Sequence, residues 1–313
     1  MTSRSPARQR SLGYGEALLA AVLWGSSGIF SVHLFAYGVP PQSLALLRPA
    51  IGVVLLGLVV AAVHGRRGLR APPRALAVLL LGGGSVVGLF QLAYQMSIDA
   101  IGVPSTVALV YLAPPIVVAA SGPLLGEWPT RRRAVLAAVT LGGVWLTVLG
   151  ADAVTPTFGG AGVAWGVLAG ASYAGYTLFG RYATPRFGSG ATVLYSTIGA
   201  CAWLFVALVF LSDDFVLPTS SGAWALLAVF ALVTVAAAQF IFFDALGRIE
   251  ASRASITSAA EPVVAAVLAT LLLSQGLGLT GWLGVALVVA GVVGVGADRR
   301  AALPPVGEPP GGL

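Results

Sequence analysis

Residues 91–127 read QLAYQMSIDAIGVPSTVALVYLAPPIVVAASGPLLGE, and residues 239–275 read QFIFFDALGRIEASRASITSAAEPVVAAVLATLLLSQ. A shift of 148 positions lays Gln91 on Gln239, Tyr94 on Phe242, Ile101 on Ile249, Pro114 on Pro262 and Glu127 on Gln275, with no gap. Few residues are identical, but the order is shared: an amide, an aromatic cluster, a short hinge, then an apolar run broken by proline. A pattern that returns at a fixed spacing is one structural unit used twice.

The medium for that unit follows from composition. Charged residues make up 9% of the 313 and apolar ones 58%, with mean hydropathy +0.93. A soluble domain carries about 25% charged residues, so this chain has too few to cover a water-facing surface. It reads as an all-α, polytopic membrane protein whose partners are the lipid bilayer and a small-molecule substrate. One cysteine, Cys201, rules out an intrachain disulfide.

Ten apolar runs divide the chain, at 13–34, 43–63, 75–97, 103–125, 133–150, 161–180, 190–211, 223–246, 253–274 and 281–297. Each is about 17–25 residues long, enough to cross a hydrocarbon core of roughly 30 Å. The 17 basic residues are all arginine, and all but Arg48 fall in the N-terminal tail, the second, fourth, sixth and eighth loops, or the C-terminal tail. The odd loops carry Asp99, Asp152, Asp213 and Asp214 instead. Arginine-bearing loops stay in the cytoplasm, so both termini are expected inside, in a bacterial inner membrane. Arginines that flank spans in this way do not form a nucleic-acid surface. The first run is too long for a signal-peptide core and has no A-x-A site after it.

Five spans make one unit, an odd number, so the second copy enters the membrane from the opposite side. The expected architecture is ten transmembrane helices as two inverted five-helix repeats around a central cavity, 13–150 and 161–297. A cytoplasmic tail (1–12), a periplasmic linker (151–160) and a disordered cytoplasmic tail (298–313) complete the chain. Inverted repeats are common in secondary transporters, whose substrate site lies near the midplane between the halves.

Trp24-Gly25-Ser26-Ser27 in the first span, Leu47-Arg48 in the second, Pro114 with Leu124-Leu125-Gly126-Glu127 in the fourth and Glu261-Pro262 in the ninth resemble the EamA branch of the drug/metabolite transporter superfamily. The resemblance covers about 12–297, and within the branch it looks most like bacterial exporters of aromatic and other neutral amino acids. It implies a ten-helix fold, export from the cytoplasm, and packing of the fifth span on the tenth. Gln275 departs from the pattern, which has Glu in the second half, and leaves Glu127 without a symmetric partner.

Candidate site residues follow from polarity inside apolar runs. Glu261 lies about ten residues, roughly 15 Å, into its span. An ionisable group at that depth is a functional candidate, for carrying a proton or meeting an ammonium group. The alternatives are a carboxyl satisfied by Thr257 or Arg253, or one that bonds backbone freed by Pro262. Arg48 lies roughly 8 Å deep and either meets a substrate carboxylate, snorkels to the headgroups or braces a helix end. Gly84, Gly88, Gln91 and Gln95 share one helix face, flanked by Tyr94. Trp24, Ser27, Gly28 and Ser31 share another, as do Trp165, Ala169, Ser172, Tyr173 and Tyr176. Tyr111, Gln239 and Phe243 complete a set of rings, amides and hydroxyls suited to a small amphipathic solute. Read structurally, the same stripes are helix-packing faces, as are Gly166–Gly170 and the Ala286, Ala290, Gly294 face of the last run. Pro114 and Pro262 are expected hinges.

Two motifs carry no chemistry. Gly25-Ser26-Ser27-Gly28 resembles a serine-protease motif, but His33 and His64 sit at span ends, out of reach of Ser27. Gly82-Gly83-Gly84 has no strand before it and is no phosphate loop. No catalytic residue, metal or cofactor is expected, and no ATP-binding motif is present, so the driving force is a gradient. A monomer suffices for that transport.

Overall fold

The structure, a computed structural model, describes residues 6–150, 159–211, 215–273 and 278–298. Most of the linker, Asp152, Asp213, Asp214, Gln275, Arg4 and the tail from Arg299 therefore lie outside the described residues. The described residues are helical, with short connections. In order the helices are α1 (Pro6–Trp24), α2 (Ser27–Ala36), α3 (Pro41–Gly68), α4 (Pro73–Ala77), α5 (Gly84–Val110), α6 (Ala113–Leu125), α7 (Arg131–Leu149), α8 (Gly160–Phe187), α9 (Ser189–Leu211), α10 (Ser221–Ala231), α11 (Phe240–Arg248), α12 (Ala251–Ser258), α13 (Glu261–Leu273) and α14 (Leu279–Gly296). Two π-helical segments, Val78–Gly83 and Leu232–Gln239, join α4 to α5 and α10 to α11.

Seven helical stretches among the described residues are long and apolar enough to cross a membrane. Three of the ten expected runs are not among them, for two physical reasons. Runs 103–125 and 253–274 are each cut by a turn, at Tyr111-Leu112 and Ala259-Ala260, which leaves pieces too short to span alone. Run 161–180 is one long helix, α8, but many of its buried positions are small or polar, among them Gly162, Gly166, Ser172, Tyr173 and Tyr176. Such a face belongs against protein, and α8 packs along α5.

The 148-residue spacing recurs in the backbone. Gly102 breaks α5, with φ 76°, a left-handed conformation that favours glycine. Its counterpart Glu250 is the extended residue that precedes α12. The turn at 111–112 likewise corresponds to that at 259–260. Pro114 and Pro262 are not mid-helix kinks. Each sits in the first turn of a new helix, α6 or α13, where a missing amide hydrogen costs nothing.

The last helix corrects one expectation. Ala286 and Ala290 face outward, and the buried stripe of α14 is Gly281, Gly284, Val288, Gly291 and Val295. That stripe meets α7, the helix of the fifth expected span. The two backbones touch: a Cβ on Gly150 would lie 2.0 Å from the Gly281 nitrogen. Gly150→Ala is therefore expected to destabilise the protein by about 1–3 kcal/mol, measured as a lower thermal midpoint of the purified chain.

Candidate functional site

The turn after α5, the α1–α2 junction and the turn between α12 and α13 lie beside one internal cavity. Trp24 and Ser27 reach it from the α1–α2 junction, Arg48 from α3, Phe90, Gln91, Tyr94 and Val110 from α5, and Tyr173 and Tyr176 from α8. Thr234, Val235 and Gln239 come from the second π-helical segment, and Glu261 from the start of α13. The space between them is about 40 Å³, enough for a few waters at ~10–15 Å³ each. It is a constricted chamber.

Aromatic rings form its wall. Trp24 meets Tyr173 edge-on at 6.1 Å and Phe242 at 5.1 Å. Tyr173 and Tyr176 stack at 5.9 Å, and Phe90 lies 5.4 Å from Tyr173. Offset and edge-on pairs of this kind fix each ring's orientation. The Trp24 indole donates to the Thr234 carbonyl at 3.0 Å, tying the α1–α2 junction to the π-helical segment. Such segments concentrate at functional sites, and this one carries three cavity residues.

Two charged side chains, Arg48 and Glu261, open onto this chamber. Arg48 is 5% exposed, so it does not snorkel to a headgroup. It donates to Gln91 Oε1, and its guanidinium lies 4.6 Å over the Phe230 ring. Its Nε has no hydrogen-bond partner among the described residues. Glu261 is the first residue of α13, where helix amides favour a negative charge. Its Oε2 accepts from the Tyr111 hydroxyl at 2.8 Å. Thr257 donates instead to the Arg253 carbonyl, and Arg253 pairs with Glu250 and Asp298. Neither alternative partner of Glu261 is used.

The remaining candidates divide by place. Gln95 is fully buried next to the site but does not line it, and neither of its amide atoms has a hydrogen-bond partner among the described residues. Tyr111 stands behind Glu261. Phe243 backs Tyr176 edge-on at 5.0 Å. Trp165 is half-buried against the core, away from the cavity. Pro114 and Pro262 set the two turns. Phe90, Val110, Thr234 and Val235 were not among the sequence candidates. Thr234 carried the one usable signal, a lone hydroxyl inside the run 223–246. His33 is exposed and bonds the Ile29 carbonyl, and His64 packs on Phe240, so Ser27 has no histidine partner.

Residues 11–149 and 160–297 each match the model of the EamA-like transporter family. The chain is 27% identical over 299 residues to an uncharacterized inner membrane transporter, YicL, of Salmonella typhimurium, covering 92% of this chain and 96% of that one. It is 28% identical over 288 residues to an uncharacterized transporter, YwfM, of Bacillus subtilis, covering 90% and 93%. A solved crystal structure of another protein superposes with a TM-score of 0.74 at 19% identity, covering 91% of this chain and 96% of that one. That likeness concerns the fold alone.

Proposed function

The chain belongs to the EamA-like transporter family, and from that membership we propose that it exports small metabolites, chiefly neutral amino acids including aromatic ones, by alternating access. The proposed topology has ten spans in two inverted halves, both termini in the cytoplasm and the protein in a bacterial inner membrane. The two family matches, one per half, and the helix breaks repeated at 148 residues support the repeat. The alternating arginine loops support the orientation.

The observation that carries the substrate class is the opposition of Arg48 and Glu261 in one aromatic-walled chamber. A guanidinium receives a carboxylate, a carboxylate receives an ammonium, and the rings take an apolar side chain or share the cation. The chamber's small volume supports a transport cycle in which the halves part to admit substrate.

Phenylalanine, tyrosine and other neutral amino acids are expected to raise the thermal midpoint of the purified protein and to support saturable counterflow in liposomes. Arg48→Ala is expected to weaken counterflow about 10- to 100-fold, since a hydrogen bond to a charged group contributes ~1.5–3 kcal/mol. Phenylalaninamide, which lacks the carboxylate, should lose little on that substitution. No stabilisation and no counterflow with any neutral amino acid would sink the substrate class.

A further inference from the structure

The bond between Tyr111 and Glu261 joins the two turns that interrupt the repeated units. Tyr111 is the residue after α5, and Glu261 is the first of α13. Tyr111 is 1% exposed. Its hydroxyl lies 2.8 Å from Glu261 Oε2 and 2.9 Å from the Ser258 carbonyl oxygen. Both are acceptors when Glu261 is ionised, and a phenol has one hydrogen. Only one of the two can be served at a time.

The Ser258 carbonyl needs a donor for a reason written in the sequence. In a continuous helix it would bond the amide four residues on, and that residue is Pro262, which has none. The Ser258 hydroxyl is already engaged. It accepts from Tyr173 at 3.0 Å and donates to the Ser255 carbonyl at 3.0 Å. The charged and titratable groups around Glu261 are Arg48 from α3, Tyr94 from α5, Tyr111, and Tyr173 and Tyr176 from α8. Tyr111 alone among them bonds both the carboxylate and the α12–α13 junction.

The repeat makes this pair unique. At a spacing of 148, Tyr111 falls on Ala259 and Ala113 falls on Glu261. Two positions at which the copies differ in chemistry are therefore bonded partners, and the symmetry builds no second such bond.

We propose that Tyr111 is the positioning residue of a proton site at Glu261: its hydrogen serves the carboxylate when Glu261 is charged and turns to the Ser258 carbonyl when Glu261 is protonated. This rests on the reading of Glu261 as a proton carrier. The step balances simply. One proton from the aqueous chamber adds to a Glu261 oxygen, the new carboxyl O–H donates to the Tyr111 oxygen, and the Tyr111 O–H bond rotates without breaking. Tyr111 serves the Ser258 carbonyl only when Glu261 is protonated, so the proton state of Glu261 is passed to the junction where α12 ends. A device of this kind changes the tightness of a helix break each time the proton arrives or leaves.

The test is infrared difference spectroscopy of the full chain in phospholipid vesicles, taken between acid and alkaline pH, on wild type, Glu261→Gln and Tyr111→Phe. Wild type should show a protonated-carboxyl band that Glu261→Gln lacks, together with a tyrosine C–O component that vanishes in the same variant. In Tyr111→Phe the carboxyl band should remain and move to higher wavenumber, because its hydrogen-bond partner is gone. If it stays at the wild-type position, and the tyrosine component persists in Glu261→Gln, the role of Tyr111 is overturned while Glu261 stands as a proton site. If wild type shows no band that depends on Glu261, the proton site itself fails and this proposal with it. Should Tyr111→Phe not fold, the tyrosine component of wild type against Glu261→Gln decides alone: its loss supports the proposal and its persistence overturns it.

Discussion

Glu261→Gln is expected to abolish accumulation of a neutral aromatic amino acid driven by a pH gradient, and to weaken without abolishing counterflow in the absence of a gradient. The substitution keeps the shape and keeps an oxygen to accept from Tyr111, but it removes the only carboxylate that lines the chamber among the described residues. With no ATP-binding motif in the sequence, uphill movement draws on an ion gradient, and the chamber offers one side chain to carry the proton. A gradient of one pH unit supplies about 1.4 kcal/mol per proton, a factor of about ten in accumulation. Wild-type liposomes should reach a ratio of that order, and the variant should settle at equal concentrations inside and out. Gradient-driven accumulation that survives in Glu261→Gln would remove the proton from the mechanism. Complete loss of counterflow would make ammonium binding, rather than proton transfer, the main role of Glu261.

The partner that defines this carboxylate was beyond the reach of sequence reasoning, and the reason is physical. Pattern reading works on neighbours three or four residues apart, whereas Tyr111 and Glu261 are 150 positions apart. The repeat itself was legible, because identical spacing survives loss of identity, and the backbone breaks at 102 and 250 follow it. The turns at Tyr111-Leu112 and Ala259-Ala260 contain no glycine, so Pro114 and Pro262 looked like kinks inside helices rather than second residues of new ones. The π-helical segment that brings Thr234 and Gln239 to the chamber has no signature in residue type. Arg48 was read by depth, which puts it within reach of headgroups, but depth says nothing of direction. The ring of Phe230 and the amide of Gln91 turn it inward. On α14, alanines and glycines both recur at helical spacing, and only the approach of α7 selects the glycines.

The other large effect is expected far from the chamber. A group of buried ion pairs lies near the arginine-bearing loops. Arg133 pairs with Glu250 at 2.8 Å and with Asp298 at 3.3 Å, and Arg253 pairs with the same two acids. All four residues are at most 5% exposed. Tyr14 of α1 joins them by accepting from Arg253 and donating to the Val295 carbonyl. The cluster thus fastens α1, α7, α12 and the end of α14 at one point. Beside it, Arg181 bonds Glu127 at 2.5 Å, and the other oxygen of Glu127 accepts from the Ala251 amide. At a spacing of 148 the corresponding residues are Gly281, Gly102, Ser105 and Gly150, none of them charged. That end closes by backbone contact instead, with the Gly278 amide donating to the Gly150 carbonyl at 2.8 Å. One end of the bundle is held by charge and the other by close packing. Removing one member of a buried ion network costs ~3–5 kcal/mol, because its partners stay buried with less compensation. Glu250→Ala should therefore lower the thermal midpoint more than Gly150→Ala does. Burial shields such pairs from salt, so added salt should leave the wild-type midpoint nearly unchanged and should not rescue the variant. A wild-type midpoint in Glu250→Ala would show that the cluster holds nothing together. A loss of stability should also open the chamber from the arginine side. A cysteine placed at Ser27 in a Cys201→Ser background then reacts with a membrane-impermeant thiol reagent from that side faster in Glu250→Ala than in the chain with Glu250 intact.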